Sequence, residues 1–330
     1  MTSARSLRSL ILAGVILVPV LGPARALAVG ESINGFPNWA ERVLHEWMNR
    51  ARVDPQVEMA ACGSACADAA CYGPMPPLAW AEALNHSARF HSANMTIQGY
   101  LTHNSSCTLV SNISQLFPGS CDGSASCACV GGVNACNPSC TTWAQRIVLF
   151  GAVAGGEVIS SRSDPNDAFY RWLFETASTG TCQFTEANGH RWLILAWRGT
   201  VGAGMAGRAV ADFSSSSPIA KIPSGSHYPQ QAASVEAWAN WYDAAGPMSA
   251  KVNVDGVCWP MALRRGSPQN GAYMATISGV ATGCHRYYFS FKDSSGATVT
   301  YPTTGSLGIG DAACTSWSSS RPPVCGGGCN

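Results

Sequence analysis

The chain is short of charge. Asp, Glu, Lys and Arg make up 12% of its 330 residues, 20 basic against 19 acidic. Without Arg5, Arg8 and Arg25 of the N-terminal segment, 17 basic residues face 19 acidic ones, a net charge of −2. So balanced a chain lacks the clustered Lys and Arg that a nucleic-acid partner requires, and no nucleic acid is expected. Long apolar runs are missing too. The run from Leu10 to Leu21 is shorter than the ~20 residues of a spanning helix, and nothing later comes close, so no transmembrane segment is expected. That run follows Arg5 and Arg8 and precedes Ala26-Leu27-Ala28, the order of a secretory signal peptide. Residues 1–28 are therefore expected to be a leader, and the mature chain to begin near Val29. No Gly-x-Ser-x-Gly elbow occurs, so Ser105, Ser106, Ser160 and Ser161 have no nucleophile motif around them.

Cysteine, by contrast, is plentiful: 15 residues, all after the leader, as in a secreted, extracellular or periplasmic protein. Most are expected in disulfides, although connectivity is not readable from spacing and the odd total leaves one unpaired or joined to another chain. Zinc is the rival reading of Cys62, Cys66, Cys71 and of Cys136, Cys140; the export signal and irregular spacing favour disulfides.

Roughly 300 mature residues suit two domains of ~150 residues. Between Pro37 and Val53, Trp39, Val43, Leu44, Trp47 and Met48 recur at the period of a half-buried helix, ended by Asp54-Pro55. A second helix is expected from Ala79 to Gly99, with Leu84, Ala88, His91 and Met95 on one face, and a third from Asn166 to Thr176 after Asp164-Pro165. On the second helix His86 is expected to face solvent and His91 to lie in the core or near a cleft. Residues 107–140, dense in Cys, Ser, Gly and Asn, read as a disulfide-pinned insertion. Trp192 to Trp197 and Val201 to Ala211 suit strands closing a first domain at 29–212. Ser, Pro and Gly at 213–224 mark a linker. Beyond it, residues 251–257, 271–280, 286–292 and 297–301 are Val/Ile/Tyr/Phe-rich segments between turns, read as a small antiparallel β-sandwich (225–312) of immunoglobulin or fibronectin type. A Cys/Gly/Ser/Pro tail, 313–330, carries Cys325 and Cys329. The fold class is α+β.

Met48-Asn-Arg-Ala-Arg-Val-Asp-Pro55, Pro77-Leu-Ala-Trp80, Ala88 to His91, Met95, Leu101-Thr-His-Asn104, Gly156-Glu157, Trp172, Gly189-His-Arg191 and Val201-Gly-Ala-Gly204 follow one another in order. As an ordered series they resemble the CAP superfamily of cysteine-rich secretory, antigen 5 and pathogenesis-related 1 proteins, its bacterial secreted branch above all, over residues 36–210. The resemblance implies an α-β-α sandwich with a cleft lined by two histidines and two acids, at His103, Glu157, Glu175 and His190. Val158 stands where the family has Asn, and the Cys107–Cys140 insertion is long for the family; both bear on the cleft's shape. Gly202-Ala-Gly-Met-Ala-Gly207 matches a dinucleotide-binding pattern by letters, but the linker arrives before any helix with an acid ~20 residues on, and the resemblance makes it a closing strand.

Two imidazoles and two carboxylates can hold a borderline metal or move protons near neutral pH. The expected metal site, for zinc or another divalent ion, is His103, His190, Glu157 and Glu175, with Glu157 and Glu175 also the candidate catalytic groups. The expected function is a secreted protein that binds a ligand in this cleft, with the sandwich for targeting; the resemblance adds lipid or sterol, polysaccharide and protein to the candidate partners. The alternatives are a metal-assisted hydrolase or peptidase with Glu157 as general base, and an adhesion protein binding polysaccharide through the sandwich. For the latter, Trp238, Trp241 and Trp259 are stacking candidates, although burial is the commoner fate of sandwich tryptophans. Asn85, Asn94, Asn104 and Asn112 begin glycosylation sequons, relevant only in a host that uses them.

Overall fold

A computed structural model describes residues 29–176, 180–197 and 199–324; the expected leader and Cys325 and Cys329 lie outside the described residues. Helix α1 (Trp39–Val53) starts at a capping box: the Asn38 side chain accepts from the Glu41 amide, and the Glu41 carboxylate accepts from the Asn38 amide. Asp54 ends it and caps α2 (Pro55–Met59), where Pro55 needs no amide partner. Ala79 and Trp80, expected to open a helix, form strand β1 (Ala79–Trp80) instead, because they pair in parallel with Thr200 and Val201. Helix α3 (Glu82–Gln98) follows and stops at Gly99, whose φ of 72° glycine adopts without strain.

The insertion holds two short helices, α4 (Ile113–Leu116) and α5 (Ala125–Ala128), around disulfides Cys107–Cys129, Cys121–Cys127 and Cys136–Cys140. Then come α6 (Trp143–Leu149), β2 (Gly156–Ser160), α7 (Pro165–Leu173), α8 (Gly189–Leu195), β3 (Thr200–Met205) and β4 (Ala209–Ser214). The apolar run at 192–197, expected as a strand, lies largely in α8. Arg52 secures the end of that helix by donating to the carbonyls of Ile194 (2.6 Å) and Trp197 (2.8 Å). A short apolar run has no periodicity to separate the two readings.

The first sheet has the order β1-β3-β4-β2. Helix α3 packs on one face; α1, α7 and α8 pack on the other. A Cβ at Gly202 would lie 2.0 Å from the Asn85 amide nitrogen and one at Gly204 2.1 Å from that of Arg89, so these glycines serve the close approach of α3 and not a phosphate.

The remaining strands are β5 (Gly225–Tyr228), β6 (Ser234–Tyr242), β7 (Ser249–Val254), β8 (Val257–Pro260), β9 (Ala262–Gly266), β10 (Asn270–Ser278), β11 (His285–Lys292), β12 (Thr298–Tyr301) and β13 (Leu307–Ile309). Two antiparallel sheets result, β5-β6-β10-β9 and β12-β11-β7-β8, with β13 on β11. They share a core of Val235, Trp241, Val252, Ile277, Phe289 and Phe291 among others. The protein is thus α+β.

Helix α1 is not half-buried. Its outer face meets the β5-β6-β10-β9 sheet, and every residue from Glu41 to Val53 is buried. Trp238 and Ala272 of that sheet join the helical core, while Trp241 and Tyr273 point to the sandwich core. The contact is also polar. Glu46 accepts from Ser224 Oγ (2.7 Å) and Asn240 Nδ2 (2.7 Å), and Trp39 Nε1 donates to the His227 carbonyl (2.9 Å). Burial, only partly offset by these two donors, pushes the Glu46 carboxyl up to about 7. Residues 215–224 carry no helix or strand, yet Ile222, Pro223 and Ser224 are buried at this seam.

Further disulfides join Cys62–Cys66, Cys71–Cys182 and Cys284–Cys314; Cys258 is also bonded, and no described cysteine is free. The zinc reading of Cys62, Cys66, Cys71, Cys136 and Cys140 fails, because all five sulfurs are spent in disulfides. Such bonds fit an oxidising compartment. Among the described residues, no helix is long and apolar enough to cross a membrane.

Candidate functional site

His103 lies in the loop after α3, and Glu157 is the second residue of β2. Their side chains meet, His103 Nδ1 to Glu157 Oε1 at 2.8 Å. Glu157 is 1% exposed and its other oxygen pairs with the buried guanidinium of Arg146, from α6. The same guanidinium donates to the His103 carbonyl (3.0 Å) and Ser105 Oγ (3.3 Å), so one cation fixes both the strand's acid and the loop's backbone. Burial disfavours the Glu157 charge, but the Arg146 guanidinium, with the His91 and His103 rings, outweighs it and holds the pKa down to about 2.

The second pair is built at the start of α8. Glu175, two residues past α7, accepts the Arg191 amide on Oε1 (3.0 Å) and meets His190 Nδ1 through Oε2 (2.7 Å). Its carboxylate therefore caps the first turn of α8 while it orients the ring. Arg191, fully buried, pairs with Asp68 and donates to the carbonyls of Leu173 (2.7 Å) and Glu175. Cys71–Cys182 ties the intervening segment to the same neighbourhood.

His103, Glu157 and His190 line one cavity of about 320 Å³ with Phe184, Glu186, Gly189 and Leu193. Glu175 supports it from behind His190. The His103 and His190 side chains are 46% and 32% exposed, and neither ring's Nε2 has a partner among the described residues. A ring that donates Nδ1–H to a carboxylate keeps the Nε2 lone pair for a ligand.

Two acids here escaped the sequence reading. Glu186 lines the cavity from an irregular segment, where no spacing relates it to His190. Asp212 is opposite Glu157 in the β2–β4 register, fully buried, with both carboxyl oxygens lacking a hydrogen-bond partner. Burial, then the Glu157 charge, pushes its pKa well above the usual carboxylate range. Strand alternation alone gives no sign of a buried acid in Ala-Asp-Phe.

Other candidates fall away from the cavity. Ser105 and Ser160 are buried, Ser106 Oγ donates to Gln98, and no described serine bonds His103 or His190. Cys107 is held in its disulfide. His91 is buried beside the cleft loop, its Nε2 2.9 Å from the Thr102 carbonyl, while His86 is covered by the Phe36 ring at 4.3 Å and so does not face open solvent as expected. Trp238 and Trp241 are buried, which removes two of the three stacking candidates. Asn85 and Asn94 are also buried and closed to glycosylation. Cys121, Asp122 and Cys127 bring three metal-type donors together, but the two sulfurs form a disulfide. No protein-family model matches this sequence, and no curated protein does.

Proposed function

We propose that the chain is a secreted CAP-type protein that binds a divalent metal ion, zinc first, through Nε2 of His103 and of His190. The observation that carries this reading is the doubled carboxylate–histidine arrangement: each ring is held at Nδ1, by Glu157 at 2.8 Å and by Glu175 at 2.7 Å, with its other nitrogen free at one cavity. Imidazole nitrogen suits zinc, and water would fill the rest of its shell, because among the described residues no third His, Cys, Asp or Glu donor groups closely with both rings. When bound, the ion would supply Lewis acidity to a ligand or water in the cavity. Glu157 and Glu175 act in this reading as positioning residues. Both oxygens of each already bind a ring, a guanidinium or an amide, and the reading uses them there to orient the rings.

The same facts favour a binder over a hydrolase. A general base works best with a pKa near the working pH, and Glu157 is held at about 2. The CAP assignment is supported by the ordered motif series and by the helix–sheet–helix layering of residues 39–214.

Calorimetric titration of the oxidised mature protein with zinc tests the proposal. Saturable binding is expected, and is expected to disappear in His103→Ala/His190→Ala. Equal affinity in that variant would overturn the assignment.

A further inference from the structure

A second cavity, of about 710 Å³, opens where α1, α2 and α7 meet β6, β9 and β10, and it shares no residue with the histidine cleft. Deep in it, Arg50 is buried with its guanidinium 4.9 Å from the centre of the Trp238 ring. Glu58 accepts from Arg50 Nε (3.2 Å) and from the Tyr170 hydroxyl (2.7 Å), so its charge is already used. Two further guanidiniums keep donors to spare. Arg264 is exposed, and its side chain has no partner among the described residues. Arg265 pairs with Glu58 only at 3.9 Å, through Nε, and its Nη1 donates to the Arg264 carbonyl (3.1 Å), which leaves Nη2 without a partner among the described residues. The lining thus holds Arg50, Arg264 and Arg265 against Glu58 and Glu236, an excess of one positive charge.

Beside these guanidiniums are the half-buried rings of Tyr170 and Phe174, centroids 5.0 Å apart, and the Glu236 carboxylate, which already accepts the Trp238 indole N–H at 2.9 Å. An unpaired guanidinium fork suits a carboxylate. Aromatic faces beside a spare acceptor suit the C–H faces and hydroxyls of a sugar. A polyphosphate is disfavoured by the two acids in the lining and by the chain's lack of basic excess. We propose that this groove binds a carboxylate-bearing oligosaccharide, with Arg264 and Arg265 on the carboxylate, Tyr170 and Phe174 against the ring and Glu236 on the hydroxyls. This role needs both the helices and the sheet, because each contributes part of the lining.

The test is calorimetric titration of the full mature protein with oligogalacturonate and hyaluronan oligomers, beside methyl-esterified oligogalacturonate of the same length. Binding of a free-acid saccharide is expected, weakened about tenfold by esterification and about tenfold in Arg264→Gln/Arg265→Gln. His103→Ala/His190→Ala is expected to bind it as the unaltered protein does, which separates this site from the cleft. Arg264→Gln alone, at an exposed position without partners, keeps the test valid should the double variant unfold; it too is expected to bind more weakly. Failure of both acids to bind, equal binding of the ester, or unchanged affinity in Arg264→Gln would overturn the proposal. Equal displacement by an aspartate-rich peptide or by inorganic phosphate would also overturn it, by assigning the groove to another ligand class.

Discussion

In residues 36–214 five guanidiniums are buried, those of Arg42, Arg50, Arg52, Arg146 and Arg191, whereas residues 225–309 fill their core with Trp241, Tyr273, Tyr287, Phe289, Phe291 and Tyr301. The difference follows from what each region must hold. A sandwich core needs apolar area, about 25 cal/mol per Å² buried, and rings supply it in bulk. A cleft needs polar groups fixed at a surface, and loops carry few contacts to fix them. Arg146 and Arg191 solve this from beneath, by binding the backbone of the segments that carry His103 and Glu175. Buried charges of this kind are costly to desolvate, and they confer stability only while every partner is present.

The largest effect that would sharpen the comparison concerns the disulfides. Cys71–Cys182 spans 111 residues and Cys284–Cys314 spans 30. By loop-closure entropy the first is worth about 5 kcal/mol and the second about 4 kcal/mol. Urea unfolding of Cys71→Ser/Cys182→Ser should show the greater loss, and zinc affinity should fall with it, because the freed segment carries Phe184 and Glu186. Equal zinc affinity in the two disulfide variants would break the link between that bond and the cleft.

Next in size is Arg146→Met. It leaves Glu157 and Asp212 as facing buried acids without their cation, and should cost about 3–5 kcal/mol. The counterpart in the sandwich, Tyr287→Phe, removes one hydrogen bond to His227 (2.8 Å) and should cost about 1 kcal/mol. Similar losses in denaturant titrations would dissolve the contrast between buried charge and buried ring.

Acid should act mainly on buried histidines. Burial lowers the pKa of His45 to about 4 and of His91 and His227 to about 3. For each, the unfolded chain binds the proton first, so stability falls as pH drops below about 6.5, by about 1.4 kcal/mol per pH unit and group. Glu46, raised to about 7, and Asp212, also raised, work in the opposite sense: each takes up its proton in the folded state first, so stability grows as pH falls. Three histidines oppose two acids, so the gain offsets only part of the loss down to about pH 4.5, leaving a net loss of about 1.4 kcal/mol per pH unit. Below that, Glu46 is protonated in both states, and Glu157, lowered to about 2, adds a further loss. The denaturation midpoint should fall gently from pH 6.5 to 4.5 and then more steeply; a decline of one slope from pH 6.5 downward would contradict these assignments.

Much of the secondary structure was legible locally. The period of α1, Asp164-Pro165 before α7, Gly99 after α3, and the turn-bounded β7, β10, β11 and β12 all rest on signals within a few residues. Strand β6 was not, since Ser-Val-Glu-Ala-Trp-Ala-Asn-Trp-Tyr lies in a sheet covered on both faces and so shows no clean apolar–polar alternation.

By itself the sequence determined the ends of α1 and α3 and the start of α7, where cysteines crowd, and which His and Glu residues deserved to be considered together. Tertiary structure alone decided their pairing, His103 with Glu157 and His190 with Glu175, and the burial of α1 between two sheets. The physical reason is range. Caps, glycines and periodicity act through the next few residues, whereas a side chain's charge state and its partners depend on what the rest of the chain packs against it.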